Sequence, residues 1–364
     1  MPLPSADTGR LETSLGSGVW FPNHLALLCT EASVYLCGPS SLWRLGIHDK
    51  KRHLVADLPL PWGLREAAHF RLLRRLGRLW LRELIQLDNG DLLGIVRRSI
   101  VRLAYGSKEF QTPFRVERGG RPTGFCLTPQ GHILVGEYRA KRQHKSLRIW
   151  GSLDNGVTWD VAHVFPVNYA KHIHNIIWDP FRQGMWILTG DHDEESAFLF
   201  TADEFKTVTE FVKGRQEFRA CHLFCQPDGL YYGTDSERAP NWFVHLDINT
   251  GELTKLQPLP GSCLYGARLA GKYFLSTTVE PSKVNLCKRP ALWVSADLCR
   301  WQQVMDFEKD RWPAGAFGFG TVMLPKVTGD CPLVIFSTLA VKKHDFSTFL
   351  ITTEESWKVR QLPA

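Results

Sequence analysis

Short runs of alternating apolar and polar residues, broken by turns that carry Gly or Pro, recur along most of the 364-residue chain. Three copies are clear: residues 124–137 (GFCLTPQGHILVGE), 175–191 (NIIWDPFRQGMWILTGD) and 220–235 (ACHLFCQPDGLYYGTD). Each reads as two strands joined by a tight turn, because alternation with period two puts one face of a strand on a core. Weaker copies lie at 24–38, 83–97, 264–277 and 318–337. A third apolar strand follows each hairpin, beginning at Leu42, Ile100, Leu147, Phe198, Trp242, Leu292 and Phe349.

These starts recur roughly every 50 residues, which with about four short strands per unit is the signature of a β-propeller. The chain is therefore expected to be all-β, a seven-bladed propeller over 1–364 as one domain, with six blades as the alternative. A doubly wound fold would need helical patterns between the strands, and these are missing. One segment departs: 64–76 (LREAAHFRLLRRL) has helical spacing, with Gly77 as its stop. It predicts a short basic amphipathic helix inserted between two blades, its arginines facing water. Residues 1–18 are expected to be a poorly ordered arm.

Residues 152–159 read SLDNGVTW. Ser152, Asp154, Gly156, Thr158 and Trp159 fill the defining positions of S-x-D-x-G-x-T-W, and the segment resembles the Asp-box of the sialidase-like propellers. Degenerate copies, Ser295-Ala-Asp297 with Trp301, Thr201-Ala-Asp203 and 353–357, fall in phase with the strand repeat. The resemblance implies the fold and a structural turn at the blade periphery, away from any active site. The Phe/Tyr-Arg-Ile-Pro motif of sialidases is absent, so their activity and catalytic residues are not carried over.

Composition narrows the picture further. With 44% hydrophobic and 22% charged residues the chain can bury a sizeable core and is not a disordered one. No run approaches the roughly 18 apolar residues of a membrane helix. No secretory leader is visible at the start, and the nine cysteines show no CxxC spacing, so free thiols in a cytoplasmic protein are expected. The net charge of +7 favours an anionic partner. No phosphate-cradling Gly motif and no basic-aromatic cluster points to nucleic acid.

In a propeller, the start of each inner strand and the end of the next strand meet around the axis on one face. His24, Arg82, Arg121, His172, His174, Arg219, His222 and Tyr265 occupy the first kind of position. Arg97, Glu137, Asp191, His192, Asp193, Asp235, Glu237 and Glu280 occupy the second. His172, His174, His222, Asp191 and Asp235 are the candidate acid–base groups, and the three histidines are candidate ligands of one divalent metal ion. Arg82, Arg121 and Arg219, with Glu137, Tyr265 and Asp193, are candidate substrate contacts, the arginines as a carboxylate clamp. The chemistry this suits is an acidic saccharide cleaved by hydrolysis or β-elimination. The alternative is a non-catalytic propeller that binds a protein or a glycan.

Overall fold

A computed structural model describes residues 9–117, 120–139 and 145–352. The alternation read in the sequence becomes seven antiparallel sheets in succession along the chain, seven blades rather than six. The first blade holds Leu25–Thr30, Ser33–Cys37, Ser41–Gly46 and Arg52–Asp57 from the axis outward. The second to sixth blades repeat the pattern, their inner strands being Leu81–Gln86, Gly120–Leu127, Ile173–Asp179, Phe224–Gln226 and Cys263–Leu269.

The seventh blade is composite. Thr321–Met323, Val334–Leu339 and Ser347–Thr352 are followed outward by Gly16–Phe21 and Gly9–Thr13. Residues 9–18, expected to be a loose arm, are thus mostly strand: their backbone groups complete an edge that would otherwise be left unpaired. The ring is also closed near the axis, where Lys326–Thr328 leaves the seventh blade and pairs in parallel with Leu25–Thr30. Cys29 and Cys331, 302 residues apart, are joined there by a disulfide. The expectation of nine free thiols fails because sequence spacing cannot show which distant cysteines this closure brings together.

Neighbouring sheets bury their faces against each other. Leu25, Leu28, Leu36, Ile187, Leu188 and Phe274 are fully buried, each stabilising by about 1.5–3 kcal/mol relative to exposure. The inner strands carry a repeated irregularity. Register shifts fall between Ala26 and Leu28, Leu81 and Glu83, Pro122 and Phe125, Ile173 and Asn175, and Cys263 and Tyr265. Each leaves one extra residue on the inner strand. A bulge of this kind bends the strand and re-aims a side chain, and two of the extra residues are Arg82 and His174.

The single helix expected at 64–76 is two, Trp62–Ala67 and Arg71–Gly77. Arg78, with φ 53°, takes the left-handed position expected of Gly77. The arginines also depart from expectation, since Arg74 and Arg75 are buried. Arg74 donates to the carbonyls of Asn23, Cys37 and Gly38, and its guanidinium lies over the Phe346 ring. Arg75 pairs with Asp310 and Asp345. A buried cation must be paired, so these contacts fix the insertion across the first and seventh blades and deliver Arg78 to the axis. Among the described residues no helix is long and apolar enough to cross a membrane.

The 152–159 turn closes on itself as its composition suggests. Asp154 accepts from the Val157 and Thr158 N–H groups and from the Thr158 and Ser152 hydroxyls, which holds its carboxyl down at about 2. Gly156 has φ 79°. Ser295–Asp297 and Thr201–Asp203 repeat the hydroxyl-to-carboxylate bond. Residues 353–357 lie outside the described residues.

Candidate functional site

A cavity of about 650 Å³ opens on the axis, lined by residues of all seven blades and by Arg78. Lys326–Thr328 occupies part of the channel, where Lys326 donates to the Phe125 carbonyl and pairs with Glu83. The charged residues of the wall form two groups.

The first comes from the fourth and fifth blades. Lys171 Nζ donates to Asp191 Oδ2 at 2.6 Å. Asp191 Oδ1 lies 3.2 Å from His172 Nε2, 3.9 Å from His174 Nε2 and 3.3 Å from an Arg219 nitrogen. The two Nε2 atoms are 3.1 Å apart. On its other side His174 Nδ1 meets Cys221 Sγ at 3.1 Å and Asp235 Oδ2 at 3.5 Å, and the Cys221 thiol donates to that same oxygen. Arg219 lies between the two acids, its Nε 3.5 Å from Asp235.

Burial and charge set the two carboxyls apart. Burial alone would raise Asp191, but the hydrogen bond and charge of His172, with Arg219 and Lys171, hold it far below the usual range. Asp235 is pushed up to about 7, chiefly by burial, with Glu280 adding to the effect and Arg219 opposing it. Its Oδ1 has no hydrogen-bond partner among the described residues. His174 is driven well below its ordinary value by burial and by His172 and Arg219. Arg219 is raised, because Asp235 and Asp191 outweigh its burial.

The second group comes from the insertion and the second and third blades. Arg78, Arg82 and Arg121 line the same cavity. Arg82 donates to the Pro122 carbonyl, and Arg121 lies 4.1 Å over the Tyr138 ring. None of the three has an ion pair among the described residues. Burial and the nearby Arg82 push Arg121 down to about 9, and burial and Arg82 likewise lower Arg78. Tyr138 in turn stacks on His172 at 3.9 Å. A continuous stack of guanidinium, phenol and imidazole therefore joins the two groups.

The structure brings together His172, His174, Asp191, Asp235 and Arg219, and separately Arg82 and Arg121. Arg219 is not part of the arginine clamp expected of it, because two acids hold it. His222 lines the cavity but is not in the cluster of ligand-capable atoms, which combines His172, His174 and Asp191 on one side and His174, Cys221 and Asp235 on the other. It packs edge-on against Phe224 and beside Gly266, and burial and the Lys326 charge push it down to about 3. Tyr265 lines the cavity and is raised by burial.

Two residues expected at the site are elsewhere. Glu137 is buried in an ion pair with Arg139 at 2.9 Å. Asp193 is exposed and accepts from Gln216. Tyr138, not its neighbour Glu137, lines the cavity, as adjacent strand residues point to opposite faces. Arg78, Tyr138 and Cys221 line the cavity without having been expected there, whereas Glu280, expected at a strand end, does line it. Only Arg78 was beyond any strand-based count, since it follows the helical insertion.

No family model matches the chain, and no curated protein matches it. Solved structures do. An oligogalacturonate lyase in complex with manganese aligns over 96% of each chain at 10% identity and a TM-score of 0.62. YCF48 from Cyanidioschyzon merolae aligns over 95% of this chain and 99% of its own, at 11% identity and a TM-score of 0.53. YCF48 bound to D1 peptide covers 97% of this chain and 99% of its own, at 12% identity and 0.50. The likeness is one of fold: the chain is similar to other β-propellers.

Proposed function

We propose that the protein is an enzyme that cleaves a uronate-bearing saccharide by β-elimination in the axial cavity. One observation carries the reading. Three guanidiniums without an acidic partner among the described residues face the same cavity as a carboxyl poised near neutrality. Arginine grips a carboxylate in two parallel bonds, so a uronate supplies the counter-charge that Arg78, Arg82 and Arg121 lack.

The chemistry follows from that placement. Neutralising the uronate carboxylate acidifies the C5 proton next to it. A base takes that proton, the C4–O bond breaks, a C4–C5 double bond forms, and the departing oxygen takes a proton. Asp235, at about 7 and with Oδ1 unpartnered, suits the proton-transfer role, since a general acid–base works best near the ambient pH. Tyr138, raised by burial, stays protonated beside Arg121 and can donate to the departing oxygen. Hydrolysis would need a second free carboxylate; Glu280, in the same cavity, has no ion pair among the described residues and accepts from the Ser262 hydroxyl. Asp191 is held by Lys171, His172 and Arg219, and Glu137 by Arg139. An oligogalacturonate lyase on a similar fold agrees with the reading without carrying it, and the Asp-box-like turns lend it nothing, being peripheral.

The test is incubation of the protein with oligogalacturonate. The expected result is an ultraviolet-absorbing unsaturated product, lost in Asp235→Asn. New reducing ends without that absorbance would replace elimination by hydrolysis. Saturable binding without cleavage would make the protein a binding module.

A further inference from the structure

We propose that His172, His174 and Asp191 form a binding site for one divalent transition-metal ion, with open positions toward the axial cavity. His172 Nδ1 lies 3.3 Å from the Arg139 carbonyl oxygen, which can only accept. Asp191 Oδ1, 3.2 Å from Nε2, also only accepts, so without a metal Nε2 carries a proton toward Asp191. A metal ion would replace that proton, the hydrogen on Nδ1 keeping the bond to Arg139 and the Nε2 lone pair turning to the metal. The Cys221 thiol donates to Asp235, so its sulfur accepts from His174 Nδ1. That hydrogen too is on Nδ1, and the second Nε2 also presents a lone pair.

Both lone pairs then converge with a carboxylate oxygen. The three atoms are 3.1, 3.2 and 3.9 Å apart. A point equidistant from them lies about 2.0 Å from each, which is the length of a metal–imidazole or metal–carboxylate bond. With the Nε2 proton displaced, three acceptors this close repel unless a cation sits among them. Two imidazoles and one carboxylate are a ligand set that transition metals take while keeping positions open. A carbonyl or carboxylate behind each ring is the usual support of a ligating histidine, and here it is the Arg139 carbonyl behind one ring and Cys221 with Asp235 behind the other. Tyr138, stacked on His172, fixes that ring's plane.

Asp191 takes the place that sequence spacing gave to His222. The His174 bulge explains the exchange, because it turns this imidazole toward the end of the paired strand, where Asp191 lies. Arg219, 3.3 Å from the same Asp191 oxygen, competes for it. The rival occupant of the triangle is a proton on one Nε2. The site stands on this geometry and does not rest on the saccharide reading.

The test uses the full chain, stripped with a chelator and titrated separately with Mn²⁺ and Zn²⁺ by calorimetry. One equivalent is expected to bind for at least one of the two metals. His174→Gln and Asp191→Asn should each weaken it about tenfold or more, and His222→Gln should leave it unchanged. Circular dichroism identifies variants that remain folded. Should either ligand variant unfold, Co²⁺ on the wild-type chain gives the second readout, as the visible bands of an imidazole-ligated ion are expected. No uptake by the folded chain would mean that a proton fills the triangle and would overturn the proposal. Uptake unchanged in folded His174→Gln, or lost in folded His222→Gln, would overturn it as well. Failure here with Arg121-dependent saccharide binding intact would leave the proposed function standing.

Discussion

The two charged groups of the axial cavity are built on opposite terms. Around Asp191 and Asp235 every ion has a counter-ion: Lys171 and Arg219 answer the two acids, and the imidazoles link them. Around Arg121, among the described residues, the three cations have each other, a carbonyl and the phenols of Tyr138 and Tyr265, and no acid in an ion pair. A compensated buried network holds itself together, so removing one member should be felt as lost stability. An uncompensated cluster carries a cost in the free protein that an anionic ligand relieves, so removing one member should be felt as lost binding. That difference separates the scaffold of the site from its recognition surface.

The largest effect should come from Arg219→Ala, which leaves two buried acids without their shared cation. A loss of about 3–5 kcal/mol in urea unfolding is expected. Arg121→Met should lose little or no stability by the same measurement. A comparable loss at Arg121 would dissolve the distinction.

Binding should invert that order. Arg121→Met and Arg82→Met should each weaken a uronate oligosaccharide by about ten- to a hundredfold, the worth of one hydrogen bond between charged groups, as read by calorimetry.

The two acids should also give opposite pH slopes. Asp235, raised to about 7, favours the folded state while protonated, so its contribution is complete below the unfolded value near 4 and is lost as pH rises toward 7. Asp191, depressed, contributes above the unfolded value, and that contribution is lost as pH falls below about 4. Asp235→Asn should therefore flatten the decline in stability between pH 5 and 7.5 and leave the acid limb in place. A decline that survives in the variant would mean that another group carries it.

Smallest of all, Asp154→Ala should cost about 1 kcal/mol through the opened turn and leave saccharide affinity untouched. A change in affinity would give the peripheral turn a part in the site.

How much of this was legible in the sequence depends on what each element requires. The blades were, because a hairpin must alternate to bury one face, and seven alternating units leave a period. The convergence of His172, His174, Asp191, Asp235 and Arg219 was also legible, since strand starts and strand ends meet on one face. The bulges were not: one extra inner-strand residue re-aims a side chain where it falls, as at Arg82 and His174. The closures escaped as well. Gly9–Thr13 pairs with its neighbour Gly16–Phe21 on the outside of a blade whose other strands come from the far end of the chain, and Cys29 meets Cys331 across the ring. Arg78 was hidden by the insertion, whose buried arginines defy the amphipathic pattern because backbone carbonyls and acids of other blades receive them.

Whether the three arginines read a carboxylate is measured by comparing the binding of oligogalacturonate with that of its methyl ester to the wild-type chain. Saturable binding of the acid, weakened by Arg121→Met, is expected, with at least tenfold weaker binding of the ester, in which the carboxylate charge is gone. Equal affinity for the two, or binding of the acid indifferent to Arg78, Arg82 and Arg121, would contradict that expectation.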